Sequence, residues 1–342
     1  MRLEMEKGKR RIYFFGWPSF LGGADTKLAH LLVLLHKEFA ITVIPNDACH
    51  LRDQVWTRFL GKLGVEYALL ARLPKKLEGF AMSLCNQRFF TDGIARKAKE
   101  KGLKIIWSSE MMWHHDGELE AIKKGLIDKV LYVSELQKRY LSKGYGDLPS
   151  ACPGNYIDPS FFPFKERRNK TFTIGRLSRN DPVKYPEDFP VFYEALDLPE
   201  VRFRVMAWDE ALARKYRWHH FDDRWDLLPP EKEGQVRFLH SLDLFVYPLG
   251  HQFRESWGRS TVEAMLTGCI PLVPPGHHLD HLIVDGESGF ICHDFLEYKQ
   301  QAQRLYFDYE HRKRLAAQCR AQAVNKLCVR EEHLRIWKEV FQ

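Results

Sequence analysis

Short apolar runs alternate with helical stretches along the whole chain. Residues 11–15, Arg-Ile-Tyr-Phe-Phe, follow a basic leader and predict a buried strand. Residues 16–23 form a glycine-containing loop. Residues 24–38 predict a helix with its leucines on one face. Residues 41–45 supply the next strand. A strand, a glycine loop, a helix and a strand in that order open a doubly wound α/β domain. Further strands are expected at 80–84, 104–107 and 129–133. The pattern then restarts. Residues 165–170 are charged and polar and read as a linker, and 171–174 predict a new strand closed by Gly175-Arg176. Strands at 201–206, 242–247, 270–273 and 289–292 continue the series, and the chain from Phe295 onward is helical in character. Two successive α/β sheets would place a cleft at the carboxyl ends of their strands.

The bulk numbers support this division. A length of 342 residues suits about two domains, each large enough to bury its own core. A net charge of +7 is weaker than a dedicated nucleic-acid binder would show. It fits binding of phosphates or a visit to an anionic surface. The seven cysteines are dispersed, odd in number and without a C-x-x-C, so neither a disulfide framework nor a zinc site is expected. Residues 1–11 are highly charged and lack an apolar core, which predicts no secretory signal and a cytoplasmic protein. No apolar run has the length of a membrane span. Residues 54–76 interleave Trp56, Phe59, Leu63, Leu69 and Leu70 with Arg58, Lys62, Arg72, Lys75 and Lys76. Such a segment is compatible with peripheral contact at an anionic membrane, or with a domain helix whose basic face is solvated.

Four motifs carry candidate chemistry. Glu255 and Glu263 stand eight positions apart, with Ser256-Trp257-Gly258-Arg259-Ser260 between them and Gly268-Cys269-Ile270-Pro271 beyond. A glycine loop ahead of a helix N-terminus is a natural anion cradle, and ionised carboxylates beside it would accept hydrogen bonds from sugar hydroxyls. Gly22-Gly23 follows the first strand but lacks the G-x-G-x-x-G of nicotinamide or flavin sites. Gly175-Arg176 precedes Lys184 through Asn180-Asp181-Pro182, and Arg179 adds a third cation. Arginine as a fork and lysine as a point charge suit a diphosphate. Asn155-Tyr156-Ile157-Asp158 stands where the first domain ends. Beside these, Trp113-His114-His115-Asp116 and His277-His278 with His281 are histidine loops without a completing metal ligand, and the aromatic segment around His219-His220 carries no reading. No D-x-D occurs, so the carboxylate pair that holds a diphosphate through a divalent metal is missing.

In order and context these motifs resemble the retaining glycosyltransferases of family 4, which have the GT-B fold. The resemblance implies two Rossmann-like domains across a cleft. Residues 1–164 would form the acceptor domain and 165–324 the nucleotide-sugar domain, with a last helix at about 325–342 returning to the first. It implies transfer of a sugar from a nucleotide diphosphate sugar, UDP favoured, to a glycan, glycolipid or small hydroxyl acceptor. The anomeric configuration would be retained, without metal or cofactor. Catalytic roles would fall to Arg176, Lys184, Glu255 and one of His114 and His115. Donor binding would add Gly22, Gly23, Ser256, Trp257, Gly258, Arg259, Ser260 and Glu263, the last on the ribose. Tyr156 replaces the usual glycine of the interdomain motif. The competing reading is a silent nucleotide- or glycan-binding module of a polysaccharide assembly, which tends to lose some of these residues. A third is a sugar-nucleotide epimerase of GT-B shape, which would need a different acid–base set.

Overall fold

The computed structural model describes residues 8–19, 23–168, 170–230 and 232–342. The chain divides into two compact units, one of Met1–Asp158 with Arg330–Gln342, the other of Pro159–Val329.

The first unit holds seven parallel strands: β1 (Arg11–Phe15), β2 (Ala40–Ile44), β3 (Glu66–Tyr67), β4 (Phe80–Leu84), β5 (Lys104–Ser108), β6 (Lys129–Leu131) and β7 (Ser150–Ala151). Their spatial order is β3-β2-β1-β4-β5-β6-β7. The second unit holds six: β8 (Phe172–Leu177), β9 (Val201–Met206), β10 (Trp225–Leu228), β11 (Leu244–Val246), β12 (Ile270–Val273) and β13 (Phe290–Ile291). Their order is β10-β9-β8-β11-β12-β13, again all parallel. Each sheet runs outward from its first strand in both directions, the doubly wound arrangement. The order reverses between β1 and β4 in one unit, and between β8 and β11 in the other.

The central strands are continuous apolar runs because parallel strands are covered on both faces. In β1, Ile12 and Phe14 join one core with the leucines of the helix Gly23–Leu35, while Tyr13 and Phe15 join a second core on the opposite face. The helix Arg330–Val340 and the residue after it close the first core through Trp337, Val340 and Phe341. Phe341 meets Phe39 and Phe80 edge-on, with ring centroids 5.3 and 5.5 Å apart.

Two readings of the sequence are corrected. The segment 54–76 is not one helix. It breaks into the helix Gln54–Lys62, the edge strand β3 and a short 3-10 turn. Trp56 and Leu60 are buried in the unit's own core, with Phe59 and Leu63 packed against it. Gly175-Arg176 does not close a strand but lies inside β8, every residue of which is buried. Tyr156 occupies its glycine-like position without strain, because the left-handed residue of that turn is Gly154, at φ 67°. Tyr156 is buried and donates to Asp158 at 3.2 Å, while the Asp158 N–H donates to His30 Nδ1 at 3.0 Å. Among the described residues no helix is long and apolar enough to cross a membrane.

Gly175 has a steric reason to be glycine. A Cβ there would stand 2.4 Å from the backbone oxygen of Arg204 on β9 and 2.5 Å from Leu242 Cδ2. Gly175→Ala is therefore expected to destabilise the chain by about 1–3 kcal/mol through overpacking, read as a lower urea midpoint; an unchanged midpoint would mean that β8 and β9 separate freely.

Candidate functional site

The second sheet places its chemistry at the carboxyl ends of β8 and β11, the two strands that flank its order reversal. Arg176 is fully buried near the end of β8. Its guanidinium lies 3.9 Å from the ring centre of Tyr185 and 4.4 Å from that of Tyr247, a desolvated cation held between two aromatic faces. Its donors are engaged by protein: Nη1 to Pro248 O at 2.5 Å, Nη2 to Lys184 O at 2.8 Å and Nε to Ser178 Oγ at 3.3 Å. The fork thus clamps the chain after β11 to the turn that carries Lys184, and its nitrogens are turned to protein acceptors.

That turn is built by its sequence. Asp181 accepts the Val183 N–H at 3.1 Å and Pro182 starts a 3-10 turn at Pro182–Lys184. Lys215 Nζ ties it down through Pro182 O and Tyr185 O, at 2.9 and 2.7 Å. The Gly250 N–H donates to Lys184 O at 3.2 Å, and a Cβ on Gly250 would come within 2.3 Å of Val183 O. The Asp181-Pro182 turn therefore carries Lys184 inward, while Arg179 ahead of it is exposed.

Lys184 Nζ meets Glu255 Oε2 at 3.1 Å, with both side chains about nine-tenths buried. The Tyr247 hydroxyl donates to the same oxygen at 2.9 Å. Lys184 Nζ also sits 4.7 Å from the Phe253 ring centre. Burial alone would push the Glu255 carboxyl up; the Lys184 charge and the Tyr247 hydrogen bond outweigh it and hold the group below the usual carboxylate range. Burial likewise lowers the Lys184 ammonium, against the opposing pull of Glu255. The Glu255 N–H donates to His277 Nδ1 at 3.3 Å, and burial lowers the His277 imidazole. His277 and His278 both have positive φ, 56° and 62°.

From Glu255 the chain runs through Ser256 and the buried Trp257 to Gly258, at φ 98°, which caps the helix Arg259–Thr267. A Cβ on Gly258 would strike Leu279 Cδ2 at 2.5 Å. The cap residue brings no side-chain oxygen to this helix; its backbone carbonyl takes the Thr261 N–H at 3.1 Å, and the N–H groups of Arg259 and Ser260 precede it. Ser260 lies half-exposed in that turn. Glu263 is buried one turn along, 3.4 Å from Arg259 Nη2; burial raises its carboxyl and the Arg259 charge opposes that. Lys184 and Glu255 are in contact. Glu263 stands apart from them on its own helix with its own cation.

No family model matches the chain, and no curated protein matches it. Solved structures do. HepE of Anabaena, in complex with UDP and glucose, is 15% identical over 97% of this chain and 99% of its own, with a TM-score of 0.73. TarM is 11% identical over 97% and 99%, at 0.76. The sucrose-phosphate synthase of Thermosynechococcus elongatus is 12% identical over 97% and 98%, at 0.68. The fold is GT-B.

The other residues singled out in the sequence lie in the first unit of this GT-B chain. Gly22 falls outside the described residues, and Gly23 begins the helix Gly23–Leu35. One turn in, the buried Lys27 pairs with Glu110 at 2.8 Å, and Ser108 Oγ donates to the same Glu110 oxygen at 2.9 Å. Neither residue was singled out in the sequence. His114 and His115 part company. His114 Nδ1 is 3.6 Å from the buried Glu118, and its ring meets Tyr145 edge-on. His115 Nε2 is 3.2 Å from Cys85 Sγ. At the carboxyl ends of β1 and β2 opens a cavity of about 710 Å³, with Phe15, Ile44, Leu69 and Leu70 on its wall and Lys75 and Lys97 at its rim. In the second unit, His219 contacts Glu194 at 3.2 Å within an aromatic cluster that includes Trp225. Among the described residues no three His, Cys, Asp or Glu side chains converge in a metal-holding group.

Removing one partner of the buried pair strands the other. Lys184→Ala is expected to cost about 3–5 kcal/mol, and adding Glu255→Gln should restore part of that loss, since no uncompensated charge then remains. The pH dependence has a definite sign. A carboxyl depressed on folding contributes stability above its unfolded value and loses it on acidification. The stability advantage of the parent over Glu255→Gln should therefore shrink as pH falls below about 4. Urea unfolding of the three variants across pH checks both; an advantage that grows in acid would show Glu255 to be protonated.

Proposed function

We propose that this protein is a metal-independent, retaining glycosyltransferase of family 4 that transfers a hexose from a UDP-sugar to a hydroxyl acceptor in glycan, polysaccharide or glycolipid synthesis. The observation that carries the reading is the contact of Lys184 with Glu255 at the strand reversal of the second sheet, the place where α/β sheets bind their ligands. The UDP and glucose held by HepE support a nucleotide-sugar donor. A TarM structure with UDP and α-GlcNAc-glycerol supports a glycan-like acceptor.

The second unit binds the donor. Its diphosphate lies against the N–H groups that open the helix Arg259–Thr267, with the Lys184 ammonium as counter-charge. Glu263 accepts the ribose hydroxyls and Glu255 the hydroxyls of the sugar, each a carboxylate in a dry setting where an unmet hydroxyl is costly. As the glycosidic bond breaks, positive charge spreads over the sugar ring and negative charge grows on the leaving phosphate. Glu255 faces the first and Lys184 the second, a preorganised pair that need not reorient. The leaving phosphate takes the acceptor's proton, so no side chain acts as base. The acceptor belongs to the first unit, whose cavity offers apolar wall and lysine rim together. Arg176, engaged with Pro248 O and Lys184 O, acts as a positioning residue.

Proton NMR of the protein with UDP-, GDP- and ADP-sugars tests the reading. Slow hydrolysis of a UDP-sugar to the retained anomer is expected; inversion would overturn it, and no hydrolysis or line broadening with any donor would move the protein to the silent binding class. With the donor known, Glu263→Ala should weaken UDP binding about tenfold, the size of one or two lost hydroxyl bonds. Arg176→Ala should lower kcat more than it raises KM. Parent-like kinetics in both variants would sink the site assignment.

A further inference from the structure

We infer that Cys85 and His115 form a nucleophilic thiol–imidazole pair, a modification site in the first unit that takes peroxide-class oxidants. The pair lies within the first unit, and its test does not depend on sugar transfer.

Cys85 follows the last residue of β4, and its N–H donates to Ser108 O of β5 at 2.9 Å. It is the residue after the strand, and it carries φ 49°, the left-handed region that a side chain with a Cβ rarely enters. The turn aims Sγ sideways at the loop after β5, where His115 Nε2 lies 3.2 Å away. A thiol and a base in contact, with the base itself held in place, is the arrangement that activates a nucleophile. The His115 backbone N–H donates to Glu118 Oε2 at 2.8 Å, which fixes the loop, and the imidazole ring is held edge-on against Trp107 at 5.8 Å. Glu118 is fixed in turn by the Tyr145 hydroxyl.

Glu118 and Asp116 lie on either side of the turn that follows His115, Asp116 taking the Gln87 amide at 2.8 Å. His114 shares Glu118. On the Cys85 side, Arg88 lies between Asp47 and Asp92. Both Cys85 and His115 are half-buried, which leaves the sulfur within reach of a small reagent. The contrast with the other thiols is physical. Burial pushes the Cys269 thiol up to about 12, and those of Cys152, Cys292 and Cys319 upward as well, which keeps them protonated and inert. Cys49 is exposed and makes a natural internal reference.

The chemistry balances. Cys85 passes its proton to His115 Nε2. The thiolate sulfur attacks one oxygen of the peroxide, an S–O bond forms and the O–O bond breaks. The departing oxygen takes the proton back from His115 and leaves as water or alcohol. Sulfur is oxidised by two electrons to the sulfenic acid while the peroxide is reduced.

The experiment is site-resolved alkylation of the full chain with iodoacetamide from pH 6 to 8, read by peptide mass spectrometry, followed by hydrogen peroxide with dimedone trapping. Between pH 8 and pH 6, a thiol without an activating base slows roughly a hundredfold. Cys85 should slow only about threefold. The conservative His115→Gln should give Cys85 that steep profile, with the exposed Cys49 read alongside. Dimedone should mark Cys85 after peroxide and leave Cys85→Ser unmarked. Should His115→Gln fail to fold, the profile of the parent still decides. A Cys85 profile as steep as that of Cys49, or dimedone at Cys49 alone, overturns the inference.

Discussion

A guanidinium with no access to water is the constraint around which the second unit is organised. A guanidinium buried at this position demands acceptors on every side. It finds two backbone carbonyls, a hydroxyl and two aromatic faces. The partners come from two stretches of chain. Lys184 O belongs to the turn after β8, and Pro248 O and the Tyr247 ring to the segment after β11. One side chain thereby fixes the relative position of two loops that share no regular hydrogen bonding. Gly250 lets them touch, and the contact of Lys184 with Glu255 follows from where those loops are held.

The same constraint explains why charge is retained where apolar packing would be cheaper. A buried ion pair recovers its desolvation only with good geometry, and a hydrophobic pair of equal volume often does as well or better. Lys184 and Glu255 have good geometry, with Tyr247 occupying a further lone pair, yet burial still depresses the lysine. Glu263, raised by burial and only loosely met by Arg259 at 3.4 Å, is in the same condition. The site spends stability on groups whose acceptors lie only partly within the protein.

Most of the fold was legible because parallel strands buried on both faces are written as continuous apolar runs. β1, β4, β9 and β12 stand at the boundaries that their runs predict. The strands that were missed are two-residue edges, β3 and β7, and β10, whose Trp-Asp-Leu-Leu is too short and too mixed to show a period. Arg176 misled for a related reason. A charged residue after a glycine reads as the end of a strand, whereas here rings and carbonyls from distant segments make its burial tolerable. The motif glutamates and Lys184 were visible as residue types at set spacings. Their partner Tyr247 was not, because an aromatic at a strand end is a common feature that gains meaning only from a contact across about eight positions of chain. His277 was visible as one of a histidine loop, but its contact with the Glu255 N–H was not. Cys85 was counted only among dispersed thiols; nothing local marks the left-handed backbone that turns it toward His115.

Both sheets obey one topological rule, yet what they place at their carboxyl edges differs. In the second unit the reversal between β8 and β11 gathers full charges, Lys184 against Glu255. In the first, the reversal between β1 and β4 gathers amides beside the ion pairs of Lys27 with Glu110 and Arg88 with Asp47. Asn86, just beyond β4, exchanges hydrogen bonds with Asn46, beyond β2, at 3.1 and 3.0 Å, and reaches Phe15 O of β1 at 3.4 Å. Ser83 Oγ donates to the same carbonyl at 3.3 Å. Neutral amides lock strand ends together without a strong field of their own, whereas a desolvated ion pair creates one. Each edge therefore carries a buried ion pair, and the surroundings differ: Tyr247 and Phe253 meet the pair of the second unit, Ser108 that of the first.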